Sequence, residues 1–113
     1  MTATAQMTLA LGDLVVPEYP ADATIQARFE LFHQSNPWVL TALEKLTEQY
    51  LDTGATALGI RMLWERFRWE FTSQTRGDEF KANNNYASRY VRLIQERHPE
   101  WRDVFSTREL RAA

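Results

Sequence analysis

The chain has 113 residues, no cysteine, 44% hydrophobic and 25% charged residues, and a formal net charge of −2. A length of this order holds one hydrophobic core, and the lack of Cys excludes disulfides, thiolate metal sites, iron–sulfur clusters and a cysteine nucleophile. The charge is unevenly spread: residues 1–60 carry Arg28 and Lys45 against seven acids, and residues 61–113 carry eleven bases against eight acids.

Taken from the start, the first ten residues contain no Lys or Arg, so the basic opening of a signal peptide is missing. No apolar run reaches the roughly 18–20 residues that span a bilayer, which leads to the expectation of a cytoplasmic chain with no membrane partner. Residues 1–21 hold Gly12, Pro17 and Pro20 without sustained periodicity and read as a flexible tail ending in an extended segment over Leu14–Pro20, which is of a kind that can lie across the bundle. Asp22 is placed to cap a first helix over about 23–35, with Ile25, Phe29 and Phe32 on one face. Asn36-Pro37 marks the next boundary, since Asn is a favoured cap and Pro suits the first helical position, where its missing N–H is no loss. From Pro37 to about Asp52, Val39, Leu43, Leu46 and Tyr50 form a stripe, and Gly54 supplies the stop.

A third helix over about 57–73 places Ile60, Leu63, Trp64, Phe67 and Phe71 on one broad apolar face. The segment that follows is polar, with Gly77 as a turn and Phe80 as its one apolar anchor, and its spacing also allows a short β-hairpin or wing near 74–82. The fourth helix is expected to start at Asn83, Asn84 or Asn85, to bury Ala87, Tyr90, Val91 and Ile94, and to end before Pro99. A short turn carrying Trp101, Val104 and Phe105 comes next, and 108–113 reads as a frayed tail. The sum is an all-α bundle of four to five helices over 22–107, with no internal repeat and no second domain.

Chemistry-bearing motifs are scarce. There is no nucleophile elbow, phosphate loop or dinucleotide fingerprint, and His33 and His98 lack metal-ligand spacing, so neither enzyme activity, metal nor cofactor is expected. Glu65 and Glu70 sit at helical spacing from Arg61, Arg66 and Arg68, the pattern of a surface ion-pair lattice. Residues 81–92 stand out: a polar loop opens a helix whose outward positions are expected to include Asn85, Ser88, Arg89 and Arg92. Free amides at a helix start, together with Arg76, Lys81, Asn83 and Asn84, suit phosphate and base edges of DNA or RNA, with helices three and four as a loose helix-turn-helix. The structural alternative is that one Asn caps the helix, another makes a turn, and the arginines pair with Glu79, Glu96 and Glu100. A separate reading makes the chain a protein-interaction module, a homo-oligomer or a binder of a host or phage protein, with Trp38, Trp69 and Trp101 on its surface.

Several spaced words occur in order: Phe29-Glu-Leu-Phe-His33-x-x-Asn36-Pro37, Gly59-Ile-x-x-Leu-Trp64-Glu65-x-x-Arg68-Trp69, and Phe80-Lys81-x-Asn83-Asn84-x-Tyr86-x-Ser88-Arg89-Tyr90-x-Arg92. Pro99 and Phe105-x-x-Arg108-Glu-Leu110 follow. Over about residues 28–111 this pattern resembles a family of small phage and prophage proteins, notably of actinobacterial phages. The resemblance implies a mobile-element setting and an accessory, non-enzymatic protein that binds nucleic acid or a protein; it brings no catalytic residues with it.

Overall fold

The computed structural model describes residues 9–105. Four α-helices, α1 (Ile25–Ser35), α2 (Pro37–Asp52), α3 (Ile60–Gln74) and α4 (Tyr86–Arg97), are followed by one 3₁₀ turn at Pro99–Trp101. The architecture is all-α, as the periodicities imply. The tail expected at 108–113 and the first eight residues lie outside the described part.

Helix α1 begins two residues later than its composition suggests. Ala23 N–H donates to the Pro20 carbonyl, which closes a turn through Ala21 and Asp22, so Thr24 is where the chain enters the helix. The Thr24 hydroxyl accepts from Ala27 N–H at 3.0 Å and takes the capping role expected of Asp22. Helix α2 keeps Pro37 at its first turn and ends at Gly54, whose φ of +95° suits the left-handed stop. All five residues of the expected α3 stripe, Ile60, Leu63, Trp64, Phe67 and Phe71, are buried. Met62 and Trp69 lie on its other side, 49% and 60% exposed.

The core is strongly aromatic. Phe80, 2% exposed, inserts edge-on against Phe67, Phe71 and Trp64 with ring centroids 4.8, 5.3 and 5.7 Å away. Phe29 and Phe32 bring α1 to Tyr86 and Tyr90 of α4. Such edge-to-face pairs suit the ring quadrupole and fill volume densely. At the far end Leu58 N–H donates to the Val104 carbonyl at 2.8 Å, which ties the segment after the 3₁₀ turn beside the start of α3 and seats Phe105 in the core.

Asn36 occupies the α2 cap position, yet its side chain does not cap. It is fully buried. Its Oδ1 accepts from Val15 N–H at 2.8 Å, and its Nδ2 donates to the carbonyls of Val15 at 2.7 Å and Phe32 at 3.0 Å. This clamp holds the residues before α1 across the bundle. Leu9 is buried in the core, Leu11 and Leu14 pack against it, and Gly12 crosses the Trp38 ring so closely that a Cβ would sit 2.5 Å from it. From Leu9 onward, therefore, the chain before α1 is a docked strap: the extended segment that starts at Leu14 lies on the bundle, as its reading allows, and residues 9–13, read as flexible tail, are docked with it.

Residues 75–85 contain no strand, so the hairpin or wing expected near 74–82 is not formed. Burial of Phe80 draws the middle of this segment into the core, and Asp78 N–H donates to the Thr75 hydroxyl instead of to a facing strand. Helix α3 ends in a Schellman motif: Gly77 N–H donates to the Thr72 carbonyl and Arg76 N–H to the Ser73 carbonyl. Arg76 holds the left-handed position, φ +62°, that glycine usually occupies.

Candidate functional site

The asparagine run builds the start of α4. Asn83 Oδ1 accepts from Asn85 N–H at 2.8 Å, and the Asn83 and Asn84 carbonyls accept from Tyr86 and Ala87 N–H. Three successive amides that would face an anion at an open helix start are thus engaged internally. Any attraction for anions at this point comes from side chains.

Asn84 joins α3 to the connector. Its Oδ1 accepts from Trp64 Nε1 at 3.1 Å and from Arg68 Nη1 at 3.0 Å. Both partners can only donate, so the amide orientation is set by chemistry and Nδ2 is left as a donor. Arg89 is braced by neutral groups: its Nε donates to Gln26 Oε1 at 2.9 Å and its Nη1 to the Asn85 carbonyl at 3.2 Å. Arg76, Lys81 and Arg92 are exposed, and none of them pairs with a described carboxylate. The expected pairing of these arginines with Glu79, Glu96 and Glu100 does not occur. Ser88, expected to face outward, is 5% exposed and belongs to the buried face of α4 with Tyr86, Tyr90, Val91 and Ile94.

Lys81, Asn83 and Asn84 share an open groove of about 520 Å³ with Tyr19 and Val16 of the strap, Arg28 of α1, Arg68 of α3 and Tyr86 of α4. Arg28 lies over the Tyr19 ring, 5.4 Å from its centroid, and its Nε donates to the Ala23 carbonyl at 3.2 Å. The Tyr86 hydroxyl donates to the Tyr19 hydroxyl at 3.4 Å. Burial, followed by that hydrogen bond, pushes the Tyr86 phenol well above its ordinary range, so the groove wall is neutral there. Glu79 is the single acid among the lining residues. Arg76, Arg89 and Arg92 lie outside the groove. Tyr19 and Arg28 are absent from the sequence-based set, because what brings them to the asparagines is the docked strap.

The other expected features resolve differently. Arg66 pairs with Glu70 at 2.9 Å and Arg68 approaches Glu65 at 3.9 Å, the lattice anticipated for α3. Trp38 stacks on Phe71 and Trp101 on His98, so of the three tryptophans proposed for a surface cluster only Trp69 is exposed, under the Arg66 guanidinium. The connector between α3 and α4 spans residues 75–85, far longer than the three or four residues of a helix-turn-helix. Among the described residues there is no group of three or more His, Asp or Glu able to hold a metal ion, and no helix long and apolar enough to cross a membrane. Comparison with family models, curated proteins and solved structures finds no match to the chain.

Proposed function

We propose that the chain is a non-enzymatic accessory protein of phage or prophage type that contacts nucleic acid through residues 76–92. The observation that carries this reading is the state of the cations there. Arg76, Lys81, Arg89 and Arg92 have no described acid within ion-pair distance, and Arg89 is oriented by neutral amides. An arginine tied to a carboxylate is largely neutralised, whereas one oriented by neutral groups keeps its charge for a phosphate. With the whole chain at a pI of about 5.7, binding is local to this face rather than spread over the surface. The phage-type setting rests on the spaced sequence words alone.

The test is titration of labelled single- and double-stranded oligonucleotides over a salt series. About four phosphate contacts give a slope of roughly −3 in log K against log salt. Absence of binding to every oligonucleotide at low salt overturns the reading. A second reading, a homodimer through α3, draws support from exposed Met62 and Trp69 on one side of that helix. Light scattering decides it: a protein monomeric at all concentrations removes it.

A further inference from the structure

The groove between strap and connector has a shape and a donor pattern that specify its ligand more narrowly than nucleic acid in general. Three observations converge. First, α4 is poorly built to read a duplex. A helix that enters a major groove offers exposed side chains in its first turns, but Tyr86, Ser88 and Tyr90 of α4 are buried and Arg89 is tied to Gln26 of α1. Second, the polar groups near the asparagines line an open groove of about 520 Å³. Its donors can meet the edge of an unstacked base of a single strand, an edge that pairing and stacking hide in a duplex. The Arg28 guanidinium, fixed by the Ala23 carbonyl and the Tyr19 ring, is a planar surface of the kind on which single-stranded bases stack.

Third, the groove is rich in donors. The Oδ1 of Asn84 is consumed by two protein N–H groups and that of Asn83 accepts one, so what the two amides have left is mainly the donors on Nδ2. No described residue accepts from either Nδ2, nor from Lys81 Nζ. Against these donors stand one carboxylate, Glu79, and the hydroxyls of Tyr19 and Tyr86, which bond to each other. Thymine and uracil, which carry two carbonyl oxygens and no amino group, match such a wall, whereas adenine, cytosine and guanine each bring an amino donor to it.

Building on the nucleic-acid reading above, we infer that this groove binds single-stranded nucleic acid, with preference for thymine and uracil over bases that carry an amino group. Phosphates flanking the base meet Lys81. Arg76, Arg89 and Arg92 extend the contact along the strand.

Fluorescence anisotropy on the intact chain tests the inference with oligo-dT, oligo-dC, oligo-dA, oligo-rU and the dA·dT duplex of the same length. The expected result is that oligo-dT and oligo-rU bind about tenfold more tightly than oligo-dC, oligo-dA and the duplex, the scale of two neutral hydrogen bonds. Duplex binding equal to or tighter than oligo-dT overturns the single-strand assignment and leaves the nucleic-acid reading standing. Equal binding of dT, dC and dA overturns the base preference, and no binding to any oligonucleotide overturns the underlying reading itself. Asn83→Asp supplies the matched variant: it keeps the Oδ acceptor for Asn85 N–H and replaces the donor by a second acceptor. The added charge weakens all strands alike, so the readout is the dT-to-dC affinity ratio, which is expected to fall toward one. An unchanged ratio in a variant with wild-type circular dichroism overturns the role given to Asn83.

Discussion

Two irregular segments lie on this bundle, the strap before α1 and the connector between α3 and α4, and they differ in what their polar groups do. The strap is fastened by Leu9, Leu11 and Leu14 on the core and by the buried Asn36 amide, every hydrogen-bonding group of which is engaged, two of them on Val15. The connector is fastened by one apolar plug, Phe80, and by Asn84 on Trp64 and Arg68, while the other polar side chains around it stay largely open to solvent. A clamp whose polar groups are used up internally is structural. A segment held chiefly by its plug keeps most of its polar groups available for a ligand, and here the first segment supplies a wall, through Tyr19, for a groove lined by the second.

That contrast can be broken at either anchor. Phe80→Ala removes a ring packed against five aromatic side chains and is expected to cost about 4 kcal/mol in urea unfolding. A loss under about 1 kcal/mol would mean that the connector is held by something other than its plug. Asn36→Ala leaves the Val15 N–H and carbonyl without their partner and is expected to cost about 3 kcal/mol. Its distinguishing mark is local: exchange of the Val15 amide accelerates far more than that of amides within α3. Uniform acceleration would show that Asn36 supports the whole bundle and not the strap in particular.

The helices were legible because their signals are local. The α3 stripe repeats at helical spacing, and Pro37 and Gly54 act through their own backbone constraints, so these features need no knowledge of distant chain. Asn36 illustrates the limit. A capping Asn and a clamping Asn look identical in sequence, and the choice is made by a backbone group 21 positions away. Ser88 illustrates another: a small side chain next to the apolar arc of α4 is covered when its larger neighbours pack. The candidate cations and asparagines were visible as residue types, but their grouping with Tyr19 and Arg28 depends on the strap. No local pattern encodes that.

Arg76 sharpens the comparison from the side of function. It sits at a left-handed position, φ +62°, with Gly77 directly after it, and an L side chain there is disfavoured by roughly 1 kcal/mol relative to glycine. Arg76→Gly is therefore expected to raise stability by about 1 kcal/mol. If the connector is a nucleic-acid contact, the same substitution weakens oligonucleotide binding and reduces the salt slope by about 0.7–0.9. A variant that is more stable and binds unchanged would remove Arg76 from the contact surface. One that is less stable would contradict the conformational argument.

The smallest effect concerns α1, on which both segments lean: its Phe32 carbonyl takes part in the clamp, and its Phe32 ring meets Phe80 of the connector edge-on. His33 on this helix packs against the rings of Phe29 and Tyr90, and its buried Nδ1 has no hydrogen-bond partner. Burial, reinforced by the nearby charge of Arg97, holds its imidazole below the ordinary histidine range. A histidine whose pKa is depressed on folding binds its proton more readily when unfolded. Its contribution is thus intact above about pH 6.5 and is lost as the pH falls toward and through the folded-state value. Thermal midpoints are expected to fall between pH 7 and pH 5, and His33→Phe, which keeps the ring packing and cannot charge, is expected to make that fall shallower. An equally steep fall in the variant would place the acid sensitivity elsewhere. A shallower fall accompanied by slower Val15 exchange at pH 5 would show that the strap draws its footing from α1.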